Sequence, residues 1–402
     1  MRARLRAVYF LHYGYVGATL GYLAPYLRGL GFSGEAIGGV SMAAQLVAAP
    51  AALLWGHAAD RRGSRAATLR ICTLGALVAL CALPWARTPL QVGTVLVGQA
   101  AFGSAVVPLL DSLTMDWART EAGRSYARTR LFGSLGFVAV AQGLGLWLSA
   151  RGDRFADPLV PLAAVACVAG YALLLHAAPM RAATAPSAPL RGRDALALLR
   201  NPAVLLLFAL CALHWTSCAP YHLLFGVLVR DQGLPSTVTG AALALGVLAE
   251  TAALWAFPAL RRRFGLPALL TAACSATALR WWLVSQAHGS AALILLQLFH
   301  GLTFGLWWAC AVEAMGLLVP VGLRATGQAL FSALVFGAGN AVGYGLSGAG
   351  YQRLGGAGSL FALAAAVELC ALPLCALAGR RLAGAEATRA GSVQGGAPPG
   401  SA

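Results

Sequence analysis

Four ionisable side chains sit in the middle of long apolar runs: Glu250, Arg280, His300 and Glu368. A charge in the centre of a membrane span costs about 2.5 to 3.5 kcal/mol on insertion scales, so each marks a functional position or a buried partnership. A carboxylate that loads and releases a proton needs burial to raise its proton affinity and a nearby cation to adjust it. Glu250 with Arg280 has the residue types for that work, or for a static ion pair between neighbouring helices. His300 reads as a proton relay or as a hydrogen-bonded interhelical histidine. Glu368, in the last apolar run, reads as structural.

Other chemistry lies on helical stripes. His12, Tyr15, Thr19, Tyr22 and Tyr26 are spaced by 3, 4, 3 and 4 residues, which puts them on one face too polar for lipid. That face is a candidate cavity wall or a helix contact. Trp307 follows His300 by seven residues and shares its face, suiting stacking on a planar or sugar ring; Asn340 lies in a Gly-rich run and is a candidate substrate contact. Glu313, 13 residues beyond His300 and so about 220 degrees around the helix, is expected near the span end in a gate or interhelical salt bridge. Asp111 with Arg130, and Arg128 beside it, reads as a gate-side group.

The elements that must hold these residues are membrane helices. Hydrophobic residues make up 59% of the 402-residue chain and charged residues 10%, which excludes a soluble globule. Twelve runs of about 20 apolar residues are expected as spans: 7–27, 36–56, 67–86, 90–116, 131–150, 158–179, 201–227, 237–259, 266–286, 290–317, 325–347 and 357–379. All 29 basic residues are Arg; twenty-two fall on the side of the N-terminus and six on the other, with Arg280 inside a span. The positive-inside rule then places both termini in the cytoplasm, and the net charge of +16 reports topology rather than nucleic-acid binding. Residues 180–200 read as a central loop between halves 1–179 and 201–383, and 384–402 as a disordered tail. The nine cysteines lie in apolar runs without a C-x-x-C pair and read as small core residues, with no metal or cofactor implied.

An offset of 202 residues superposes the halves without a gap, pairing Leu11 with Leu213, His12 with His214, Arg28 with Arg230, Gly31 with Gly233, Gly38 with Gly240, Arg61 with Arg263 and Gly63 with Gly265. A duplicated six-span unit is a secondary-transporter arrangement with its site near the midplane. The loop Gly56-His57-Ala58-Ala59-Asp60-Arg61-Arg62-Gly63-Ser64-Arg65 resembles the G-x-x-x-D-[RK]-x-G-[RK]-[RK] signature of the major facilitator superfamily, departing at Ser64. The second copy, Phe257 to Gly265, lacks the acid, so only the first is expected to form a charge latch, through Gly56, Asp60, Arg61, Gly63 and Arg65. The run from Tyr126 to Phe137 and the segment His300 to Gly305 are similar to the phenylpropionate-permease-like branch, near the lactose and nucleoside proton symporters.

That resemblance implies an all-α membrane protein of 12 helices in two pseudo-symmetric halves, working by alternating access. It implies proton-coupled import of a small organic solute (an aromatic acid, nucleoside or sugar) by a monomer in the bacterial inner membrane. It also implies that Glu250, Arg280 and His300 bind substrate and couple protons; Thr303 stands where the lactose-permease relatives carry a carboxylate. Efflux by proton antiport and non-transporting sensing are the alternatives. The span-5 antiporter signature is missing, since 133–145 holds no Pro, and no P-loop or membrane-enzyme cluster is present.

Overall fold

The computed structural model describes residues 1–119, 124–177 and 192–394, and all regular structure among them is helical. In chain order the first half comprises α1 (Arg2–Leu20), α2 (Leu23–Gly29), α3 (Gly34–Arg61), α4 (Arg65–Cys81), α5 (Pro89–Gly103), α6 (Val106–Arg119), α7 (Tyr126–Ala150) and α8 (Leu159–His176). After α9 (Gly192–Leu199), the second half comprises α10 (Pro202–Asp231), α11 (Ser236–Arg263), α12 (Leu266–Gln286), α13 (Ser290–Leu295), α14 (Trp307–Leu318), α15 (Arg324–Phe331), α16 (Asn340–Arg353), α17 (Ala357–Leu369) and α18 (Ala371–Gln394). Between α13 and α14 the helix tightens over Leu296–Phe299 and widens to a π-helix over Gly301–Leu306; a second π stretch, Ser332–Gly339, joins α15 to α16.

Eleven described helical segments are long and apolar enough to cross a membrane, and the expected span 7–27 is not among them. It is broken at Gly21 and Tyr22 into α1 and α2. Pro25 lacks the N–H that would bond the Gly21 carbonyl. That carbonyl instead faces α10, where a side chain on Gly226 would put its Cβ 1.8 Å from the oxygen. Two further expectations are corrected. The 180–200 loop contains α9, which buries Leu198, while 180–191 lie outside the described residues. Positions 384–394, expected as disordered tail, continue α18, whose Glu386 pairs with Arg261 of α11; 395–402 lie outside the described residues. The small polar composition hides a helix that an Ala-rich run and this ion pair sustain. Among the cysteines Cys370 is exposed rather than in the core, and Cys81 is half-buried.

The duplication is structural. Arg28 donates to the Phe32 carbonyl and Arg230 to the Leu234 carbonyl, the same bond 202 residues apart, beside the left-handed turns of Gly31 (φ 88°) and Gly233 (φ 70°). Each guanidinium then crosses to an aromatic ring of the other half, Arg28 over Tyr351 and Arg230 over Phe155.

The two halves meet tightly at the side of these loops. One hydrophobic core runs through the first half into residues 218–247, 281–296 and 344–365 of the second, whereas a separate core of second-half residues with Leu198 of α9 occupies the Arg-rich side. Glycines permit the approach: a Cβ on Gly38 would strike the Tyr344 carbonyl at 2.6 Å, and one on Gly145 the Ser236 carbonyl at 2.7 Å. Pro235, ahead of α11, offers no side-chain cap, so the first half supplies one. Asp153 accepts from the Ser236 amide at 2.9 Å and faces Arg230 at 3.4 Å, and Ser149 accepts from the Thr237 amide at 3.2 Å. Asp153 is the one described non-glycine residue at positive φ (54°), a strained geometry held by this cap.

Asp153→Ala removes about 1 to 2 kcal/mol of capping and ion-pair energy, enough to raise the population opened at this seam by roughly five- to thirtyfold. Spin labels at positions 35 and 353, one per half, are expected to gain a longer distance in the variant. An unchanged distance distribution would refute the cap as a seam element.

Candidate functional site

Close helix packing builds the site. A Cβ on Gly301 or Gly305 would meet the α11 backbone at Ala249 or Glu250 within 3.0 Å, and Gly246 lies against the His300 ring. These three glycines let α11 settle onto the π stretch, which carries Glu250 to His300. Glu250 Oε2 lies 3.7 Å from His300 Nε2, and His300 Nδ1 lies 3.2 Å from Arg280 Nη1. The expected direct Glu250–Arg280 pair is therefore corrected: an imidazole stands between them. Accessibility falls along the row, from 25% for the Glu250 side chain to 13% for His300 and 1% for Arg280.

The proton positions follow from donor capacity. Arginine is a donor only, so His300 Nδ1 accepts and Nε2 carries the ring hydrogen, aimed at Glu250. Arg280 also donates to Thr303 Oγ1 at 2.6 Å and Gln297 Oε1 at 2.5 Å, and lies between the Tyr221 and Trp281 rings, each 4.5 Å from its carbon. None of its described hydrogen-bond partners is a carboxylate, and its Nε has no partner. The guanidinium is thus a buried positive charge held by dipoles and ring faces. Gln297 escaped the sequence reading, and Thr303 entered it only as the departure from a carboxylate; with His300 they form an every-third-residue polar row within an apolar run, and that spacing was the available signal.

A second network lies deeper. His214 Nδ1 is 2.8 Å from Glu368 Oε1, its Nε2 is 3.2 Å from the Thr303 carbonyl, and Ser217 Oγ is 2.5 Å from Glu368 Oε2. His214 and Glu368 are both fully buried. The sequence offered His214 only as the repeat partner of His12. Trp307, expected on a cavity wall, is wholly buried and stacked on His214 at 4.3 Å, so packing has claimed it. Donor atoms of His214, Glu368 and Cys274 lie within 4.8 Å of one another, but the histidine and carboxylate donors already satisfy each other through hydrogen bonds.

The remaining expected residues divide by place. His12 is buried with Nδ1 unpaired; Tyr15 is half-buried; Thr19 bonds back to the Tyr15 carbonyl; and Tyr22 donates to the Ala141 carbonyl at 2.6 Å. The expected wall is thus in part a helix contact, with α7 at Tyr22 and with Tyr171 of α8 at His12. Asn340 keeps a buried, unpaired Oδ1. Among the described residues Asp111 and Arg130 form no direct ion pair: Asp111 accepts from Tyr9 at 2.5 Å, Arg130 donates to Tyr13, and Tyr126 lies within hydrogen-bond reach of both. Arg128 is exposed. Arg130 is nevertheless the first-half cation within electrostatic reach of Glu250.

At the Arg-rich side, Arg65 bridges Asp60 at 3.9 Å and Asp116 of α6 at 3.0 Å, Gly63 makes its turn at φ 60°, and Arg61 is exposed. Asp116 was not anticipated. Ser64, the departure from the loop signature, accepts from the Ala67 amide as the N-cap of α4. A Cβ on Gly56 would meet nothing within 4 Å. Glu313 pairs with Arg261 at 2.8 Å, tying α14 to α11 away from the central row.

Arg280→Met leaves buried acceptors of Gln297, Thr303 and His300 without their donor, at about 1 to 3 kcal/mol each, so the variant is expected to unfold in detergent below the wild-type midpoint. An unchanged or raised midpoint would contradict this role of Arg280.

Residues 2–363 match the model of the MFS_1 like family. The chain is 31% identical over 334 residues to a maltose permease of Geobacillus stearothermophilus, covering 82% of this chain and 83% of that protein. It is 25% identical over 350 residues to a probable 3-phenylpropionic acid transporter of Escherichia coli (strain K12), covering 86% and 90%. The crystal structure of nucleoside transporter NupG superposes with a TM-score of 0.82 at 19% identity, over 94% of this chain and 98% of that one, a likeness of fold. The chain belongs to the MFS_1 like family and is a multi-pass membrane transporter of the major facilitator type.

Proposed function

We propose that this transporter is a proton-coupled symporter that imports a small organic solute across the bacterial inner membrane. The observation that carries the reading is the graded row from half-buried Glu250 through His300 to fully buried Arg280. A proton taken by Glu250 from water neutralises the one carboxylate of the row. His300, with its Nε2–H facing Glu250, responds to that charge, and its Nδ1 passes the response to Arg280 through a single hydrogen bond. A solute hydroxyl or carboxylate placed against this row would be read by a cation whose charge no carboxylate partner balances.

The half-against-half geometry supports alternating access between units 1–179 and 201–383. With both termini in the cytoplasm, the closed seam of Arg28, Asp153 and Arg230 faces outward. The separate Arg-rich ends then face the cytoplasm, with Asp60, Arg65 and Asp116 latching the first half within itself. The names of the relatives support a sugar, an aromatic acid or a nucleoside as solute.

The test is purified protein in liposomes holding a pH-sensitive dye, presented with maltose, 3-phenylpropionate or uridine. One solute is expected to drive proton entry, and Glu250→Gln to reduce it at least tenfold while leaving solute exchange in place. Solute exchange without proton movement in the wild type would overturn symport.

A further inference from the structure

Hydrogen-bond bookkeeping fixes how many protons the second network holds. His214 Nε2 faces the Thr303 carbonyl, an acceptor, with the Cys218 sulfur as a weak additional neighbour at 3.7 Å, so Nε2 carries a hydrogen. A neutral ring then has a bare lone pair at Nδ1, and a carboxylate oxygen 2.8 Å away would place lone pair against lone pair. The contact holds only with a proton in it. Ser217 adds one hydrogen of its own and faces two acceptors, Glu368 Oε2 and the His214 carbonyl. His214 and Glu368 together therefore hold one proton beyond the one at Nε2.

That proton has a mechanical consequence. In an α-helix the amide of Trp307 would bond the Thr303 carbonyl. In the widened turn it bonds the Leu302 and Phe304 carbonyls, and His214 serves Thr303. His214 thus pins the π stretch at two points, the Thr303 carbonyl and the stacked Trp307 ring. Thr303 Oγ1 is in turn an acceptor for Arg280. Loss of the shared proton leaves one ring hydrogen for two acceptors; on Nδ1 it keeps the carboxylate and turns the bare Nε2 lone pair toward the Thr303 carbonyl, so that pin releases.

We propose that His214 and Glu368 form a second proton-binding site of this transporter, whose occupancy sets the π stretch that presents His300 and Thr303 to Arg280. The proposal deepens the symport reading and rests on it for the role of the proton in transport. Other titratable groups surround the pair. Cys211, Cys218 and His222 share the helix of His214, Cys274 faces Glu368 from α12, and Arg280 of α12 is joined to the pair through Thr303. His300 and Cys310 belong to the span that carries the π stretch, and Cys375 to α18. Glu368 is the only carboxylate among them, which makes its signal separable.

Infrared difference spectra between acid and alkaline buffer test this on the full chain in liposomes, without a solute. A carboxyl signal is expected that is lost in Glu368→Gln, moved in Glu368→Asp and retained in Glu250→Gln. Trp307 emission, obtained by subtracting a Trp307→Phe protein, is expected to change with the same midpoint, because the ring it stacks on changes charge; this reading needs no change at the pair itself. A spectrum without a Glu368-dependent signal, or Trp307 emission flat across the range, would overturn the second site. A Glu250 signal alone would leave symport standing without it, and a Glu368 signal alone would remove Glu250 from the coupling role and keep the second site.

Discussion

A guanidinium buried without a carboxylate bonded to it is the interaction on which the second half is organised. Arg280 cannot be left in an apolar interior unsolvated, and in place of a counter-charge it receives two side-chain oxygens, one imidazole nitrogen and two ring faces. Three of those partners, Gln297, His300 and Thr303, come from one turn-and-a-half of the neighbouring span, which abandons regular α geometry over the same residues. π turns cluster at functional sites because they free backbone groups for other partners. Here the freed group is the Thr303 carbonyl, and it joins the Arg280 cluster to the His214–Glu368 pair.

The second constraint is the seam. Proline and glycine act together there: Pro25 releases the Gly21 carbonyl, and Gly226 has no side chain to obstruct it. The α11 N-terminus receives its cap from Asp153 across the interface. A cap supplied by the other half is lost whenever the halves part, so opening carries a defined electrostatic cost as well as exposure of core. The same economy is visible at the Arg-rich side, where Arg65, Asp60 and Asp116 bond within one half and leave the halves free to separate.

Much of this was legible in the sequence. Hydropathy gave the helices, and the 202-residue offset gave a duplication that the paired bonds of Arg28 and Arg230 repeat atom for atom. The mid-span charges drew attention to Glu250, Arg280 and His300. What the sequence hid was depth and neighbours. Periodicity places Trp307 on the face of His300 but does not say that His214 has stacked on it. It shows Glu368 in a late span but not that His214 reaches it, because pairing across 154 residues depends on helix packing. The break at Gly21 needed Pro25 to be read as acting four residues back, and the helix through 394 needed the Glu386 ion pair.

His300 links a half-buried carboxylate to a buried arginine, with its ring hydrogen on Nε2. Nitrogen NMR of histidine-labelled protein in lipid, with His300 assigned by its substitution, reads this directly. The Nε2–H tautomer is expected, with a signal that moves with pH and stops moving in Glu250→Gln. A ring hydrogen on Nδ1, or a signal indifferent to Glu250, would contradict it.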